Sequence, residues 1–372
     1  MRSEWIAKAE TIAGEIAGRA AAHDADESFV EDAFARLKAE GFFKALVPAD
    51  LGGGGATLGE ICAAIRVLGA ACGSTALAFS MHTHLVAAAV WRMKNQNAPM
   101  EGLLRRVAAE DLCLVSSGGS DWLASAGTAE KVEGGFRITA RKGFSSGCET
   151  GDLLMTSAIY DDPEAGPTVL HFGVPLKGEN VRIETKWHTL GMRGTGSQDV
   201  VIDGAFVADA SVAGRRPQGK WHMLFHIISM IAFAPIYSAY AGVADGARAK
   251  ALAVAVAGKR RADATLIRLA GEMENEHARL DMAWADLVHV AETGAPGPET
   301  TSRAMIRRTL VGEAAIGVAT LAMEVAGGAS FYRGLELERA FRDVQGARFH
   351  PLQLGPQLEL SGRVALGLDI DG

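Results

Sequence analysis

The sequence has few cysteines, and they form no recognised motif. The four cysteines of the 372-residue chain are Cys62, Cys72, Cys113 and Cys148, with no CxxC pair and no histidine at zinc spacing. A chain of this length can bury a large core without disulfides. These features exclude a disulfide scaffold and lead us to expect a reducing compartment, the cytoplasm.

Clustered positive charge is also lacking. The chain has 37 Lys and Arg against 44 Asp and Glu, a net charge of −7, no long basic run and only 6% aromatic residues. Nucleic-acid-binding proteins show the opposite balance. Residues 1–18 are interrupted by charges and so lack the apolar core of a secretory signal. We therefore expect no nucleic-acid partner and no export.

The motifs of nucleotide-binding loops and hydrolases are absent. No GxxxxGK[ST] or GxSxG is present, and Gly191-x-x-Gly194-x-Gly196 is not the GxGxxG that opens a dinucleotide-binding helix. His82 and His84 point to different faces of a helix, and no carboxylate completes a site. We therefore predict no metal site.

Three segments of different periodicity make up the chain. Residues 1–110 show helical spacing of apolar positions, residues 111–218 contain short β-branched runs bounded by Gly, Asp and Pro, and residues 219–372 are helical again. The prediction is a helical domain, a β-domain and a second helical domain, in that order.

One uncharged segment, Met223 to Ala244, is long enough to cross a bilayer. His226, Pro235 and other polar or helix-breaking residues interrupt it, and no aromatic girdle frames it. Because a helix at the centre of a large bundle is also apolar all round, we predict a buried bundle helix and no membrane span. His226 is then either a core histidine or a catalytic one, and the core role is favoured.

Glycine is abundant, with 44 residues gathered in short clusters. Gly52 to Gly55 are interpreted as turns. The run Ser116 to Asp121 follows a strand directly, and Gly327-Gly328 interrupts a helical stretch. Small residues there expose backbone N–H groups, so an anionic or planar ligand, such as a flavin or nucleotide, can approach closely.

The order of segments and several loops resemble the acyl-CoA dehydrogenase superfamily of flavoproteins, nearly end to end. The resemblance implies an α+β fold with an N-terminal helical bundle, a central β-barrel-like domain and a C-terminal four-helix bundle. The segments that carry it are Gly41 to Gly53, Leu112 to Asp121, Lys142 to Gly147, Leu190 to Ser197 (the "LGxRGS" loop), Glu324 to Gly328, and Glu338 to Asp343.

This resemblance implies FAD as the cofactor, with FMN as an alternative, and a homo-oligomer, either a tetramer or a dimer. Gly327 and Gly328 are expected to approach the cofactor of a neighbouring subunit. Arg260 is a candidate for its phosphate, and Ser120 for the substrate. By position in the family's loops, the residues expected around the flavin ring are Ser116, Ser117, Phe144, Ser145 and Ser146.

Two departures from the family pattern affect the predicted chemistry. A dehydrogenase of this family uses a Glu to remove the α-proton of an acyl-CoA thioester. Its two usual positions correspond here to Pro351 and Ala232, and neither is a carboxylate. The Arg-x-x-Phe that grips the cofactor is also missing, and Gly258 to Arg261 stands in its register.

What replaces the Glu resembles the hydroxylase branch of the superfamily, which includes dibenzothiophene monooxygenase and 4-hydroxyphenylacetate hydroxylase. That branch has a histidine in this loop, here His350, and an "FxSG" segment, here Phe144 to Gly147. Its members receive reduced flavin from a separate reductase and react it with O2. His350 and Ser146 are the predicted catalytic residues, and an ordinary histidine pKa near 6.5 suits His350 to proton transfer.

Three functional hypotheses follow. The first is a flavin-dependent oxidoreductase with oxygen-using, monooxygenase-type chemistry on an aromatic or heterocyclic compound. The second is an acyl-CoA dehydrogenase with a non-standard base, for which His350 is the nearest candidate. The third is a binding protein that kept the fold and lost the chemistry. For His350 itself, the alternative to catalysis is a histidine that is simply hydrogen-bonded within a loop.

Overall fold

The N-terminal third of the chain is helical. The computed structural model describes residues 3–117, 119, 121–259 and 261–372. In its first part Thr57 caps a helix: its hydroxyl accepts from the backbone N–H of Glu60, whose carboxylate accepts from the N–H of Thr57. The helices are α1 Glu4–Ile16, α2 Ala20–Asp26, α3 Glu31–Ala39, α4 Leu58–Ala71, α5 Gly73–Gln96 and α6 Glu101–Glu110.

The glycine run between α3 and α4 forms turns, as predicted. Gly52 and Gly55 have φ angles of 88° and 65°, a left-handed conformation that glycine adopts without strain. These turns return the chain toward α4 and lie away from the cavity described below.

An eight-stranded sheet follows, in the order β6-β7-β3-β2-β4-β5-β8, and β1 pairs with β4 in parallel. The β-branched and apolar runs of residues 111–218 correspond to β1, β3, β4, β5 and β7, whereas β2, β6 and β8 contain no such run and were not predicted. The strands are β1 Leu114–Ser116, β2 Thr128–Val132, β3 Gly135–Ser145, β4 Leu153–Asp162, β5 Gly166–Pro175, β6 Val181–Glu184, β7 Gln198–Ala208 and β8 Gly214–Pro217.

The sheet is open, which corrects the expectation of a barrel-like domain in one respect. Its end strands β6 and β8 are four residues long, and in the part of the chain described here β6 pairs with β7 and β8 with β5. Strands this short lie at opposite ends of the path and do not meet. The α+β class itself is confirmed.

The C-terminal part is a helical bundle built around α7. This helix continues through Pro235, and it contains the uncharged segment of the sequence. Its most apolar 18-residue window is 94% buried, which confirms the prediction of a buried bundle helix. The bundle helices are α7 Met223–Ala257, α8 Ala264–Thr293, α9 Pro298–Ala326, α10 Leu337–Val344 and α11 Leu354–Ala365.

A second helix, α9, also has the length and composition of a membrane span, and its apolar window is half buried. It packs along α7 and α8, and a core helix of a large bundle meets the same criteria of length and composition. Secondary structure changes from helix to strand between Glu110 and Leu114, and back to helix between Pro217 and Met223. Domains of residues 1–110, 111–218 and 219–372 stay a prediction.

Candidate active site

A cavity of about 710 Å³ lies where the three parts of the chain meet. It receives residues from α5, the sheet, the loop before β7, α7, α10 and the segment before α11. Its lining includes apolar and aromatic side chains, namely Leu77, Met81, Phe144, Trp187, Leu190, Met192, Tyr240, Phe349 and Pro351. Its polar lining includes Ser116, Ser146, Ser197, Asp199, Arg342 and His350.

One wall carries a chain of hydroxyl groups from the β-domain. The Oγ atoms of Ser146 and Ser197 lie 2.6 Å apart, and Ser197 Oγ lies 2.7 Å from Thr195 Oγ1. Thr195 Oγ1 also lies 2.9 Å from the carbonyl oxygen of Met192, to which it donates. With its proton committed to that carbonyl, Thr195 accepts from Ser197, and Ser197 in turn accepts from Ser146. The wall therefore presents hydroxyls whose orientations are coupled.

The bundle side of the cavity carries His350, between α10 and α11. Its Nε2 lies 2.7 Å from the hydroxyl of Tyr240, a buried residue of α7. The His350 side chain is half-buried and lines the cavity. Its backbone carbonyl lies 3.5 Å from Nη1 of Arg308, a buried residue of α9. Side chains of α7 and α9 thus hold this histidine in place.

Burial and the nearby Arg308 guanidinium lower the pKa of His350 to about 3. A neutral imidazole avoids both the desolvation of a cation and its repulsion by the arginine. The sequence-based expectation used the ordinary value near 6.5, at which a histidine exchanges protons near neutral pH. In the folded protein the ring is neutral across the physiological range, so it acts as a hydrogen-bonding group.

Phe144 stands at the mouth of the cavity with 55% of its surface exposed. Its φ angle of 56° is unusual for a residue with a side chain, and its ring packs edge-on against Trp187 with centroids 5.7 Å apart. Trp187 in turn donates from Nε1 to the carbonyl of Met192 at 3.0 Å. The pair forms an apolar rim on the β-domain side.

The motif Arg342-Asp343 holds the loop before β7 against the bundle. Asp343 accepts from the backbone N–H of Met192 at 2.5 Å, and Arg342 donates to the carbonyl of Leu190 at 2.9 Å. Burial raises the pKa of Asp343 to about 6, against the opposing effect of the Met192 N–H. Arg342 is itself bound to the carboxylate of Asp24. The motif that contributed to the family resemblance therefore positions the cavity wall.

A free carboxylate is not found among the described lining residues. Asp199 lines the cavity, but it accepts from Arg141 at 2.9 Å and from Lys186 at 3.3 Å. Burial alone would raise its pKa, and these two cations hold the pKa below its usual range. Pro351, one of the two positions of the family's Glu, lines the cavity, and Ala232, the other, is buried in α7.

The structure brings together part of the predicted flavin-binding set. Ser116, Phe144 and Ser146 line the cavity together with His350. Ser117 instead donates to Thr156 Oγ1 at 2.7 Å.

Ser145 is fully buried and donates to the carbonyl of Lys142 at 3.1 Å. The pairing of β3 is irregular between Lys142 and Ser145 and Phe144 has a left-handed φ angle, and in this local geometry the Ser145 side chain lies in the protein interior and does not line the cavity.

The remaining predicted residues lie elsewhere or outside the description. Gly327 and Gly328 are exposed at the end of α9 and do not line the cavity of this chain. Ser120 and Arg260 lie outside the described residues.

Sequence reasoning missed Tyr240 and Ser197 as site residues. Tyr240 sits in the uncharged stretch that was interpreted as bundle core, where a tyrosine is usually a packing residue. A signal was present in its hydroxyl, because a buried Tyr O–H needs a partner. Ser197 ends the "LGxRGS" loop, so its position in the family motif marked it.

The paired histidines of α5 are core residues. His82 Nε2 lies 2.7 Å from the carbonyl of Phe43, and its Nδ1 accepts from the N–H of Leu114 at 3.0 Å. His84 Nδ1 lies 3.2 Å from the carbonyl of Ser80. Among the residues described, no group of three or more His, Cys, Asp or Glu side chains is arranged to hold a metal ion.

Two family models match the chain. Residues 7–103 match the acyl-CoA dehydrogenase N-terminal domain, and residues 231–353 match the acyl-CoA dehydrogenase C-terminal domain. Together they span more than half of the sequence, and they flank the β-domain on both sides.

Curated relatives include several hydroxylases. The pigment production hydroxylase of Rhodococcus sp. (strain ATCC 21145) is 24% identical, over 99% of this chain and 98% of its own. Dibenzothiophene monooxygenase of Rhodococcus qingshengii is 26% identical over 84% and 82%. The oxygenase component of the FADH2-dependent resorcinol hydroxylase of Rhizobium sp. (strain MTP-10005) is 29% identical over 60% and 53%.

Solved structures share the whole fold. KijD3 in complex with FMN and a dTDP-linked amino-keto sugar superposes with a TM-score of 0.91 at 24% identity, covering 99% of this chain and 94% of its own. FMN-bound TdsC from Paenibacillus sp. A11-2 superposes with a TM-score of 0.86 at 17% identity, covering 100% and 99%. The order of helix, sheet and helix and the loop held by Arg342 and Asp343 agree with the family of the two domain matches. The two domain matches show that the chain belongs to the acyl-CoA dehydrogenase superfamily.

Proposed function

We propose that this protein is a flavin-dependent monooxygenase, which uses reduced flavin and O2 to oxygenate a small organic substrate. The observation that carries the proposal is that the cavity has hydroxyl and imidazole groups and lacks the dehydrogenase carboxylate at Pro351. Pro351 takes the place of the dehydrogenase carboxylate, while the His350–Tyr240 pair and the Ser146–Ser197 pair face the same space. Hydroxylases among the full-length relatives support it.

The cavity suits a flavin in size and in chemistry. Its volume of about 710 Å³ lies within the usual range for small-molecule sites, about 300–1,000 Å³. Phe144 and Trp187 offer ring surfaces for an isoalloxazine, and Ser116, Ser146 and Ser197 offer hydroxyls for its polar edge. FMN is our first choice, because the family's FAD-gripping Arg-x-x-Phe is missing, and FAD is the alternative.

The bound flavin would supply two electrons for O2, so that one oxygen atom enters the substrate and the other leaves as water. The chain's own groups would bind and orient the reactants. Ser146, whose proton goes to Ser197, offers a hydroxyl oxygen that accepts a hydrogen bond at the flavin edge. His350, neutral in the folded protein, offers a hydrogen bond from the bundle side of the cavity. The apolar lining around them excludes water, which protects oxygen intermediates from wasteful breakdown.

The expected substrate is a small neutral aromatic or heterocyclic compound. Lys186 and Arg342, the cations among the described lining residues, each contact a carboxylate: Lys186 contacts Asp199, and Arg342 contacts Asp24 and Glu338. Leu77, Met81 and Phe349 contribute apolar surface. An uncharged, flat substrate fits such a lining better than an acyl-CoA with its phosphates.

A homo-oligomer and a separate flavin reductase belong to the proposal. Gly327 and Gly328 are exposed beside two aromatic residues, Phe331 and Tyr332, which are 85% and 75% exposed. An apolar, glycine-containing surface suits contact with a second subunit and its flavin, in a dimer or tetramer. A reductase is proposed because a monooxygenase of this type needs its flavin reduced elsewhere. We place the protein in the cytoplasm.

Oxygen labelling tests the proposal directly. The purified protein is loaded with FMN or FAD, reduced chemically without oxygen, and mixed with 18O2 and a neutral aromatic probe such as indole. We expect a product that carries one 18O atom, detected by mass spectrometry. A product oxygen derived from water would contradict monooxygenase chemistry, and failure to bind either flavin would contradict any flavoenzyme.

An anaerobic control separates this function from a dehydrogenase. The oxidised, flavin-loaded protein is titrated with acyl-CoAs of several chain lengths, and its absorption spectrum is recorded. We expect no bleaching, because no free carboxylate faces the cavity from the described residues to remove an α-proton. Bleaching by a thioester would establish an acyl-CoA dehydrogenase with a non-standard base.

A further inference from the structure

The hydroxyl of Tyr240 makes one hydrogen bond in the described part of the chain, and that bond joins it to His350. Its oxygen lies 2.7 Å from Nε2, and the two ring centroids are 5.5 Å apart at 67°. Tyr240 is 1% exposed, so its side chain is almost completely removed from bulk solvent. The bond therefore decides where both partners keep their protons.

The direction of this bond follows from the hydrogen-bonding capacity of each partner. A tyrosine hydroxyl has one proton to donate, and burial raises the pKa of Tyr240 well above its usual value. If Nε2 were the donor, the Tyr240 proton would remain buried without an acceptor, at a cost of about 1–3 kcal/mol. Tyr240 is thus the donor and Nε2 the acceptor.

Because Nε2 accepts, the single proton of the neutral imidazole sits on Nδ1. Nδ1 has no hydrogen-bond partner among residues 3–117, 119, 121–259 and 261–372, and it is not among the buried polar atoms that lack a partner. It is therefore accessible, and His350 lines the cavity. The free N–H is available to a molecule bound there.

The surroundings of His350 reinforce its neutral state. The charged or titratable groups that face it are Arg308 from α9, His84 from α5, and Tyr237 and Tyr240 from α7. Arg308 is 3% exposed and donates to the Tyr237 hydroxyl at 2.7 Å, but its Nε and Nη2 are buried without a hydrogen-bond partner in the described residues. An uncompensated guanidinium so close to the ring opposes a second positive charge.

We propose that Tyr240 is a positioning residue for His350, which it holds in the Nδ1–H tautomer so that the imidazole donates a hydrogen bond into the cavity. This role rests on the proposed function, in which oxygen chemistry takes place there. A permanent donor suits that chemistry, because it stabilises negative charge as it develops on oxygen and cannot remove protons from the substrate.

Gly346 allows the required approach. A Cβ atom at this position would lie 2.7 Å from the Tyr240 hydroxyl oxygen, which is closer than side-chain carbons come in proteins. The residue precedes His350 by one turn and lines the cavity. Substitution of Gly346 by alanine should therefore displace the Tyr240 hydroxyl without removing it.

Nitrogen NMR of the full-length protein labelled with 15N-histidine tests the tautomer. Protonated and unprotonated ring nitrogens of a neutral imidazole give well-separated signals, and His350→Gln identifies those of His350. In the parent protein we expect Nδ1 to be protonated and Nε2 unprotonated near pH 7. In Tyr240→Phe we expect loss of this state in favour of Nε2–H or a mixture of tautomers.

Tyr237→Phe is the matched control, since it removes a buried hydroxyl one turn earlier on α7 that donates to Ala347 rather than to His350. We expect it to retain the Nδ1–H signal. A parent protein with Nε2–H, an unchanged spectrum in Tyr240→Phe, or equal changes in both variants would each overturn the proposal. If Tyr240→Phe does not fold, Gly346→Ala provides the same test.

The readout needs no flavin, so it separates this inference from the proposed function. If the tautomer changes in Tyr240→Phe as expected but the protein binds no flavin, the positioning role of Tyr240 is supported and the proposed monooxygenase function is contradicted. If flavin binds and the product forms, Tyr240→Phe should in addition raise the hydrogen peroxide released per product. The ratio is compared with that of Tyr237→Phe.

Discussion

Two histidines in this protein are neutral for the same reason, yet only one belongs to a site. Burial lowers the pKa of His82 to about 4 and that of His350 to about 3. Both ring nitrogens of His82 are bound to backbone groups, of Phe43 and Leu114. His350 has one nitrogen bound to Tyr240 and the other accessible at a cavity.

The difference shows that a shifted pKa does not by itself identify a functional residue. A buried core histidine and a cavity histidine share the shift, because desolvation dominates in both. What separates them is unused hydrogen-bonding capacity. His82 joins α5 to the first strand and to the turn after α3, whereas His350 keeps one donor free.

The largest expected effect is the loss of stability in His82→Ala. The substitution leaves the carbonyl of Phe43 and the N–H of Leu114 without partners and opens a cavity, so the free energy of unfolding should fall by about 3–5 kcal/mol. Urea denaturation followed by circular dichroism measures it. His82→Gln, which keeps an amide donor, should recover part of the lost stability. A loss below about 1 kcal/mol in His82→Ala would contradict a structural role for His82.

His350→Ala should show the reverse pattern. Product formation from reduced flavin and O2 should fall by about 100-fold or more, while flavin affinity and the free energy of unfolding change little. Turnover with chemically reduced flavin, fluorescence titration of oxidised flavin and urea denaturation provide the three measurements. Equal turnover in the variant and the parent would make His350 a structural residue like His82.

Acid should act on both histidines in the same direction. The pKa values in the folded protein, about 4 for His82 and about 3 for His350, lie below the value of about 6.5 in an unfolded chain. The unfolded chain therefore binds these protons first. The stability that each neutral ring provides is complete above about pH 6.5 and is lost as the pH falls toward the folded pKa.

The free energy of unfolding of the parent protein should decrease as the pH is lowered from about 6.5 to about 4. In His82→Gln this decrease should be smaller, by about 1.4 kcal/mol per pH unit. His350→Gln should change the slope with the same sign. Thermal or urea unfolding at several pH values checks both. A slope that neither substitution alters would mean that these rings are already charged in the folded protein.

The smallest effect is expected for the serines of β3 and its end. Ser146→Ala removes a hydroxyl from the cavity wall, so product formation should fall about tenfold, the equivalent of about 1.4 kcal/mol. Ser145→Ala removes a neighbouring hydroxyl that donates to Lys142, away from the cavity. It should lower stability by about 1 kcal/mol and leave turnover unchanged. Equal effects on turnover in the two variants would contradict the assigned orientation.

Much of the fold could be predicted because it depends on local patterns. Changes of apolar periodicity predicted the order of helical and β segments, and the uncharged run Met223 to Ala244 predicted the buried part of α7. Strands β2, β6 and β8 were missed, since two are four residues long and β2 contains two charged residues in five. Their pairing depends on neighbours distant in the chain, which no window of sequence contains.

The site was predicted in part. Motif position placed Ser146 and His350 near each other, and the structure puts both on one cavity. Ser145 and Ser117 were included with them, although their hydroxyls bind protein partners, the carbonyl of Lys142 and the hydroxyl of Thr156. Tyr240 was missed because its partner lies 110 residues away.

The sequence by itself determined the order of helix, sheet and helix, the burial of the apolar helix α7, and the absence of a glutamate at Pro351 and Ala232. These are properties of composition and local spacing. The tertiary structure alone decided that His350 is neutral, which of its nitrogens is occupied, and that Asp199 is paired. Burial, charge proximity and hydrogen-bond direction arise only when α7, α9 and the segment before α11 are packed together.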